Sequence, residues 1–322
     1  MEEAIKNFPK QFLYEPIVEN TDKFKKPERL IIAGMGGSAL PGELLKALHP
    51  LIEITLQRDY DLPHLSPEAL KKSTVIANSY SGNTEETIDA LEKALAEKLT
   101  AVVVATGGKL LEKAEELSIP YIQIPDTGIQ PRMALGFSIR ALLKICGDEK
   151  LLKETGELAT LLNPESLMED GAALAKTLHG RMPIIYASTE NKAIAHNWKI
   201  KFNETGKIPA FYNVFPELNH NEMTGFDMKD STQKLGDSFH FLFLEDDTDN
   251  SRVKRRMEIT EKLLRDRNLP VTTIRLEGDS PLQKIFASLI LADWTALHTA
   301  KLYGVEPEHV PMVEEFKKAI AS

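Results

Sequence analysis

Short apolar runs alternate with helical patterns along nearly the whole chain, and that alternation leaves few folds open. Arg29 to Ala33, Leu51 to Leu56, Ser73 to Ala77, Thr100 to Ala105 and Tyr121 to Ile124 read as strands. Between and after them come helical patterns ending at Leu48, over Glu85 to Lys98, over Lys109 to Leu117 and over Pro131 to Cys146. The runs are apolar at successive positions, as in strands covered on both faces. Strands alternating with helices imply βαβ crossovers and a mostly parallel sheet. A charged helical segment, Asp148 to Leu178, leads to a second round. There Met182 to Ala187, Phe239 to Leu244 and Val271 to Leu276 read as strands. Glu190 to Asn203, Asn250 to Arg267 and Leu282 to Leu302 read as helices, with Gly206 as a C-cap. Phe211 to Gly225 reads as an irregular stretch, and the tail from Val305 to Ala321 as ending in a short helix after Pro311. The expected class is α/β, in two doubly wound units divided near residue 150.

Within that frame one stretch is chemically unusual. The strand Ser73 to Ala77 runs into Asn78-Ser79-Tyr80-Ser81-Gly82-Asn83-Thr84, and a helix starts at once. Free N–H groups at a helix start, a favourable dipole and short hydroxyl side chains make an anion site. Asn83 and Glu86 could instead form only a capping box. Glu85 and Glu86 must turn away from any bound anion, since they compete for the same dipole. A second glycine turn, Gly34-Met35-Gly36-Gly37-Ser38-Ala39, also joins a strand to a helix. It matches G-x-G-x-x-A, and Asp59 follows at a distance suited to a ribose, so an NAD(P)-dependent oxidoreductase is one reading. Two donor-rich loops leaving the carboxyl ends of parallel strands suit a phosphosugar better than a dinucleotide.

Composition narrows the partners. A net charge of −9 argues against broad nucleic-acid or acidic-membrane binding, but not against a small anion in a local pocket. The single cysteine, Cys146, excludes an internal disulfide, fits a reducing cytoplasm and reads as a small buried hydrophobe. The first residues lack a signal-peptide pattern, and Asp293 interrupts the apolar run Phe286 to Leu297. No paired-Cys or H-E-x-x-H spacing calls for a metal. His298 lies within a long helical pattern and reads as structural.

Gly34-Met35-Gly36-Gly37-Ser38 and Ser79 to Thr87 resemble the signature of sugar-isomerase (SIS) domains. Three later segments sharpen the likeness: Pro131 to Gly136, Asn203-Glu204-Thr205-Gly206-Lys207, and Glu217-Leu218-Asn219-His220-Asn221-Glu222. In this order the chain resembles the bifunctional phosphoglucose/phosphomannose isomerases, from about residue 30 onward. The resemblance implies an N-terminal SIS domain over 1–150, holding the phosphate loops. It implies a second SIS domain with a helical tail over 151–322, and an active site in the cleft between the two. It also implies a cytoplasmic homodimer, no cofactor and a role in glycolysis and gluconeogenesis.

The roles it implies fall on specific residues. Gly36, Gly37, Ser38, Ser79, Ser81 and Thr84 hold the 6-phosphate of a hexose. His220, supplied across the dimer interface, and Lys317, with Lys318 beside it, open the sugar ring. Glu204 moves the proton between C2 and C1, and Arg132 stabilises the enediolate. Independently of any likeness, a carboxylate near a helix C-terminus suits a base near neutral pH, since the dipole disfavours its charge. A guanidinium that never deprotonates suits an oxyanion, and a loop imidazole suits proton transfer. A phosphosugar-binding protein without catalysis also remains open.

Overall fold

The computed structural model describes every residue except Lys25, Pro50, Ala321, Ser322 and the side chain of Lys23. The chain forms two compact units, Asn7–Leu162 and Met1–Lys6 with Asn163–Ser322.

The first unit holds strands β1 (Arg29–Ala33), β2 (Glu53–Gln57), β3 (Ser73–Asn78), β4 (Thr100–Ala105) and β5 (Tyr121–Gln123). All pair in parallel, in the order β2-β1-β3-β4-β5. The short helix α1 (Glu2–Lys6) belongs to the second unit. In the first unit follow α2 (Leu40–Leu48), α3 (Pro67–Lys71), α4 (Glu85–Ala96), α5 (Gly108–Glu116), α6 (Leu135–Cys146) and α7 (Glu149–Leu161). Both sheet faces are covered. Ile31, Val75, Ala77 and Val103 pack with Leu91, Ala94, Leu110 and Ala114 of α4 and α5. On the other face a Cβ at Gly42 of α2 would stand 3.2 Å from Ile32 and 3.0 Å from Leu56. This two-sided burial is why β3 reads as an unbroken apolar run.

The second unit adds α8 (Met168–Leu178), β6 (Met182–Ser188), α9 (Lys192–Glu204), β7 (Phe211–Phe215), α10 (Gln233–Gly236), β8 (Phe239–Glu245), α11 (Ser251–Arg265), β9 (Val271–Arg275), α12 (Pro281–Tyr303) and α13 (Pro311–Ile320). Its parallel sheet runs β7-β6-β8-β9. On one face Tyr186, Phe215, Phe241 and Phe243 pack against Met257 and Leu264 of α11. Opposite them, α9 is fixed to α12 by polar contacts. Trp198 Nε1 donates to Ser288 Oγ at 2.9 Å, and the buried Lys201 Nζ to Asp293 Oδ1 at 2.6 Å. Such a pair adds little net stability, but losing one partner strands a buried charge, so it fixes how the two helices align. The charge that interrupts the apolar run of α12 is thus half of an ion pair.

Several boundaries differ from the sequence reading, each for a local reason. Phe211–Phe215 is an edge strand rather than loop, because it ladders along β6 from Ile184↔Phe211 to Ser188↔Phe215. The Asp148 to Leu178 segment breaks at Leu162, and α7 stays with the first unit. Arg140 of α6 holds it there, with Nη1 donating to Leu152 O at 2.9 Å and Thr155 Oγ1 at 3.0 Å. The compact unit therefore ends at Leu162, and the division expected near 150 would cut α7. Gly206 does not supply the left-handed residue after α9. Lys207 does, at φ 56°, while a Cβ on Gly206 would stand 2.8 Å from Phe202 O. Gly206 is needed for room rather than for its torsion. The expected tail helix is α13, and its anticipated reach to Ala321 lies outside the described residues.

His240 of β8 gives this fold a pH dependence. It is 4 % exposed, its Nε2 lies 2.8 Å from Thr272 Oγ1, and burial with Arg181 and Arg265 pushes its pKa down to about 4. The unfolded imidazole takes its proton near pH 6.5, so the unfolded state binds more protons between pH 6.5 and about 4. Stability is full above that window and falls as pH drops through it. Between pH 7 and pH 5 the loss is about 2 kcal/mol from this group. Urea unfolding at both pH values should show it, and His240→Asn should remove most of the difference. An unchanged difference in that variant would refute the assignment.

Candidate active site

The strand order of the first unit reverses at β1. The chain leaves β1 and β3 on either side of that switch, where doubly wound sheets open a ligand crevice at the carboxyl ends. Both candidate loops lie there. They are tied together by Ser38, whose carbonyl accepts from Asn78 Nδ2 at 2.6 Å and whose Oγ accepts from the Tyr80 N–H at 2.9 Å. Ser38 is thus a strut between the loops as well as an anion-site candidate. A Cβ on Gly37 would stand 2.6 Å from the Arg132 backbone nitrogen, so the turn Pro131–Met133 closes against the same place. Arg132 is buried there. Gly36, at φ 49°, is exposed with open space around it.

The second loop is built to leave donors free. Ser79 Oγ and Thr84 Oγ1 lie 2.8 Å apart, and the Gly82 N–H donates to Ser79 Oγ at 3.2 Å. Thr84 is the N-cap of α4 but makes no side-chain cap bond. Asn83 does not cap either. Its Oδ1 accepts from the Lys109 N–H at 3.1 Å and its Nδ2 donates to Ser81 O at 3.2 Å. The capping-box alternative is therefore not what forms. The first turn of α4 keeps its backbone donors, with the exposed Ser81 and half-buried Thr84 beside them. Burial and the neighbouring carboxylates of Glu85 and Glu86 push the Tyr60 phenol up, so the first turn of α4 lies near the segment after β2.

A third loop supports these two. Thr106 donates its N–H and its hydroxyl to Tyr80 O, at 2.9 and 2.7 Å. The Leu110 N–H reaches Gly82 O at 3.0 Å. The sequence reading overlooked Thr106 to Gly108; the glycine pair after an apolar strand was the available signal.

The structure therefore gathers Gly36, Gly37, Ser38, Ser79, Ser81, Thr84 and Arg132 within one unit. Glu204, His220 and Lys317 lie in the other, on three different elements. Glu204 is the half-buried last residue of α9, and its carbonyl accepts from Lys207 Nζ at 2.6 Å. The same Nζ also donates to His309 O, tying the end of α9 to the segment before α13. His220 is exposed at the end of the turn Glu217–His220. Lys317 is exposed on α13, 3.1 Å from Glu314.

The second unit repeats the topological switch with different chemistry. Its strand ends carry Asp246, Asp247 and Asp249 where the first unit has hydroxyls. Lys284 pairs with Asp246 at 2.7 Å and with Asp247. Despite burial, Lys284 and Thr248 hold the Asp246 carboxyl down to about 2, so it is an anion at neutral pH. Acidic and basic side chains share that end of the second sheet, where Glu245, Asp247 and Glu258 line the same cavity as Lys254, Arg275 and Lys284. Among the described residues no group of three His, Cys, Asp or Glu side chains is placed to hold a metal ion.

These strand-end loops can be compared with known proteins. A relative from Aquifex aeolicus, a bifunctional phosphoglucose/phosphomannose isomerase, is 32% identical over 98% of this chain and 97% of its own. The chain belongs to the bifunctional phosphoglucose/phosphomannose isomerase family. A second such relative, from Caldicellulosiruptor bescii, is 36% identical over 100% of this chain and 99% of its own. The family model for the bacterial phospho-glucose isomerase C-terminal SIS domain matches residues 168–320. Among solved structures, a hypothetical protein from Thermus thermophilus superposes with a TM-score of 0.71 at 18% identity, over 99% of this chain and 87% of that one. A tagatose-6-phosphate ketose/aldose isomerase from Escherichia coli does so at 0.65 and 15%, over 95% and 93%. These two likenesses establish the fold alone.

Gly82 gives the loop architecture a direct test. It sits at φ 68°, and a Cβ there would stand 1.8 Å from Gly107 O. Gly82→Ala therefore carries both a left-handed penalty and a backbone clash, a cost of about 2–4 kcal/mol. Thermal unfolding should register this as a clear drop in Tm. A wild-type melting curve would show that the two loops do not meet this closely.

Proposed function

We propose that this chain is an aldose–ketose isomerase that interconverts glucose 6-phosphate and mannose 6-phosphate with fructose 6-phosphate. The carrying observation is the end-to-end likeness, at 32 and 36% identity, to relatives that bear both activities in their names. The donors around Gly36, Gly37, Ser38, Ser79, Ser81 and Thr84 take the 6-phosphate. His220 and Lys317 open the pyranose, moving the proton between the ring oxygen and the anomeric hydroxyl. Glu204 then removes the proton from C2 of the open aldose and delivers it to C1. The O1–O2 system becomes a cis-enediolate, whose charge Arg132 stabilises.

The two aldoses are C2 epimers. Once C2 has lost its proton it is planar, and both substrates give the same intermediate apart from rotation about C2–C3. A site that allows this rotation reprotonates either face with one base. The exposed imidazole of His220 supports its service to a second copy in a homodimer. The lone, buried Cys146 thiol, pushed up to about 12 by burial, supports a cytoplasmic protein without disulfides. No helix among the described residues is long and apolar enough to cross a membrane.

A coupled assay with each aldose phosphate, with and without EDTA, tests the activity. Turnover of both sugars, insensitive to the chelator, is expected. Glu204→Gln should lower kcat by at least about 10³-fold while leaving the binding of sugar phosphate nearly intact. Retained turnover in that variant would remove Glu204 from the role.

A further inference from the structure

His220 is exposed, yet the segment that carries it is held at many points. Leu218 is fully buried in the aromatic core of the second unit. Asn219 Nδ2 donates to Thr260 Oγ1 of α11 at 2.8 Å. Asn221 Nδ2 reaches Glu217 Oε1 at 2.8 Å, and Asn221 Oδ1 accepts from the Glu222 N–H at 2.6 Å. Phe226 meets Phe241 edge to face, with centroids 4.8 Å apart. One of these ties joins the segment to two strands through hydrogen bonds. The Glu222 carboxylate accepts from the buried Tyr186 hydroxyl of β6 at 2.6 Å and, through its other oxygen, from Asn213 Nδ2 of β7.

This arrangement is costly unless it has a purpose. A carboxylate is brought onto a phenol that is 1 % exposed in a cluster of phenylalanines. Two charge-assisted hydrogen bonds fix the carboxylate on both sides. Asn213 cannot exchange its amide oxygen for its nitrogen, because that oxygen accepts from the Val214 N–H at 2.8 Å. The clamp therefore has one geometry, and it lies two residues from His220. An uncharged apolar residue would hold a mere loop to this core as well. A fixed geometry is what a group presenting a proton donor needs.

We propose that Glu222 is a positioning residue for His220, with Tyr186 and Asn213 as its anchors. The proposal rests on His220 being the ring-opening group. It sets Glu222 apart from the residues that touch substrate, and it predicts a loss confined to the step before proton abstraction at C2.

The experiment compares a substrate that must open with one that cannot close. Glucose 6-phosphate is cyclic in solution, whereas erythrose 4-phosphate cannot form a furanose, since its O4 is esterified. Isomerisation of the first and solvent-deuterium exchange at C2 of the second are measured for wild type, Glu222→Ala, Tyr186→Phe and His220→Ala. Tyr186→Phe keeps the aromatic packing and removes one hydrogen bond, so it serves even where Glu222→Ala does not fold. Glu222→Ala should lose roughly 10- to 100-fold in kcat with glucose 6-phosphate, and Tyr186→Phe a smaller factor in the same direction. Exchange on erythrose 4-phosphate should stay within about twofold of wild type for both. His220→Ala should show the same split, more strongly. If His220→Ala splits the substrates and neither anchor variant does, the positioning role is wrong while the reading of His220 stands. If His220→Ala lowers both substrates equally, or neither, the reading of His220 fails and the positioning role falls with it.

Discussion

The structure depends on one topological constraint. In a parallel sheet ordered β2-β1-β3-β4-β5, the strand β1 has neighbours that follow it in opposite directions. The connections from β1 and from β3 therefore leave toward opposite faces, and their loops part at the carboxyl edge. The gap cannot be filled by side chains from the sheet, because those point above and below it. It can be closed only by what the loops carry. Here they carry glycines at close approaches, hydroxyls and the start of α4. Gly37 admits the backbone of Arg132, Gly82 admits the carbonyl of Gly107, and Ser38 bonds the two loops into one piece. The backbone of the buried Arg132 and the donors at the start of α4 are thereby brought to the same edge of the sheet.

The second unit shows that the topology alone does not make an anion site. Its sheet reverses at β6 in the same way. Its switch-point loops carry Asp246, Asp247 and Asp249, with Lys284 drawn between two of them. Asn191 and Ser188, which stand where the first unit has its glycine turn, face Asp249 instead of solvent. Two copies of one architecture have thus diverged in charge. The first carries hydroxyls and N–H groups at its switch point, and the second carries carboxylates paired with Lys284.

Much of this was legible in the sequence because two-sided burial leaves a strong mark. β1, β3 and β4 announce themselves as unbroken apolar runs, and the hydroxyl loop after β3 is conspicuous against them. β7 was not legible. Its sequence, Phe-Tyr-Asn-Val-Phe, is half-buried on a sheet edge, and Asn213 in its middle reads as a turn residue. Only the tertiary role of that asparagine, holding Glu222, explains why a poor strand former sits there. Gly206 misled for a related reason. A glycine after a helix usually signals a left-handed torsion, but here the contact with Phe202 O demands the missing side chain and Lys207 takes the torsion. The residues of the first unit's candidate site could be grouped by reading loops at strand ends. Glu204, His220 and Lys317 could not, since a helix end, a short turn and a tail share no local pattern.

Lys207 illustrates how such scattered groups are held. Its backbone takes the left-handed turn that ends α9, and its ammonium reaches the carbonyls of both Glu204 and His309. A cation at a helix C-terminus offsets the negative end of the dipole. Without it, that end of the dipole and the Glu204 carboxylate would repel each other, and the last turn would fray. With it, the last turn of α9 is tied down at the Glu204 carbonyl. The bond that stabilises the helix end is also the one that anchors the segment leading to α13. The main chain of the proposed base and the segment before α13 thus share a single ammonium group.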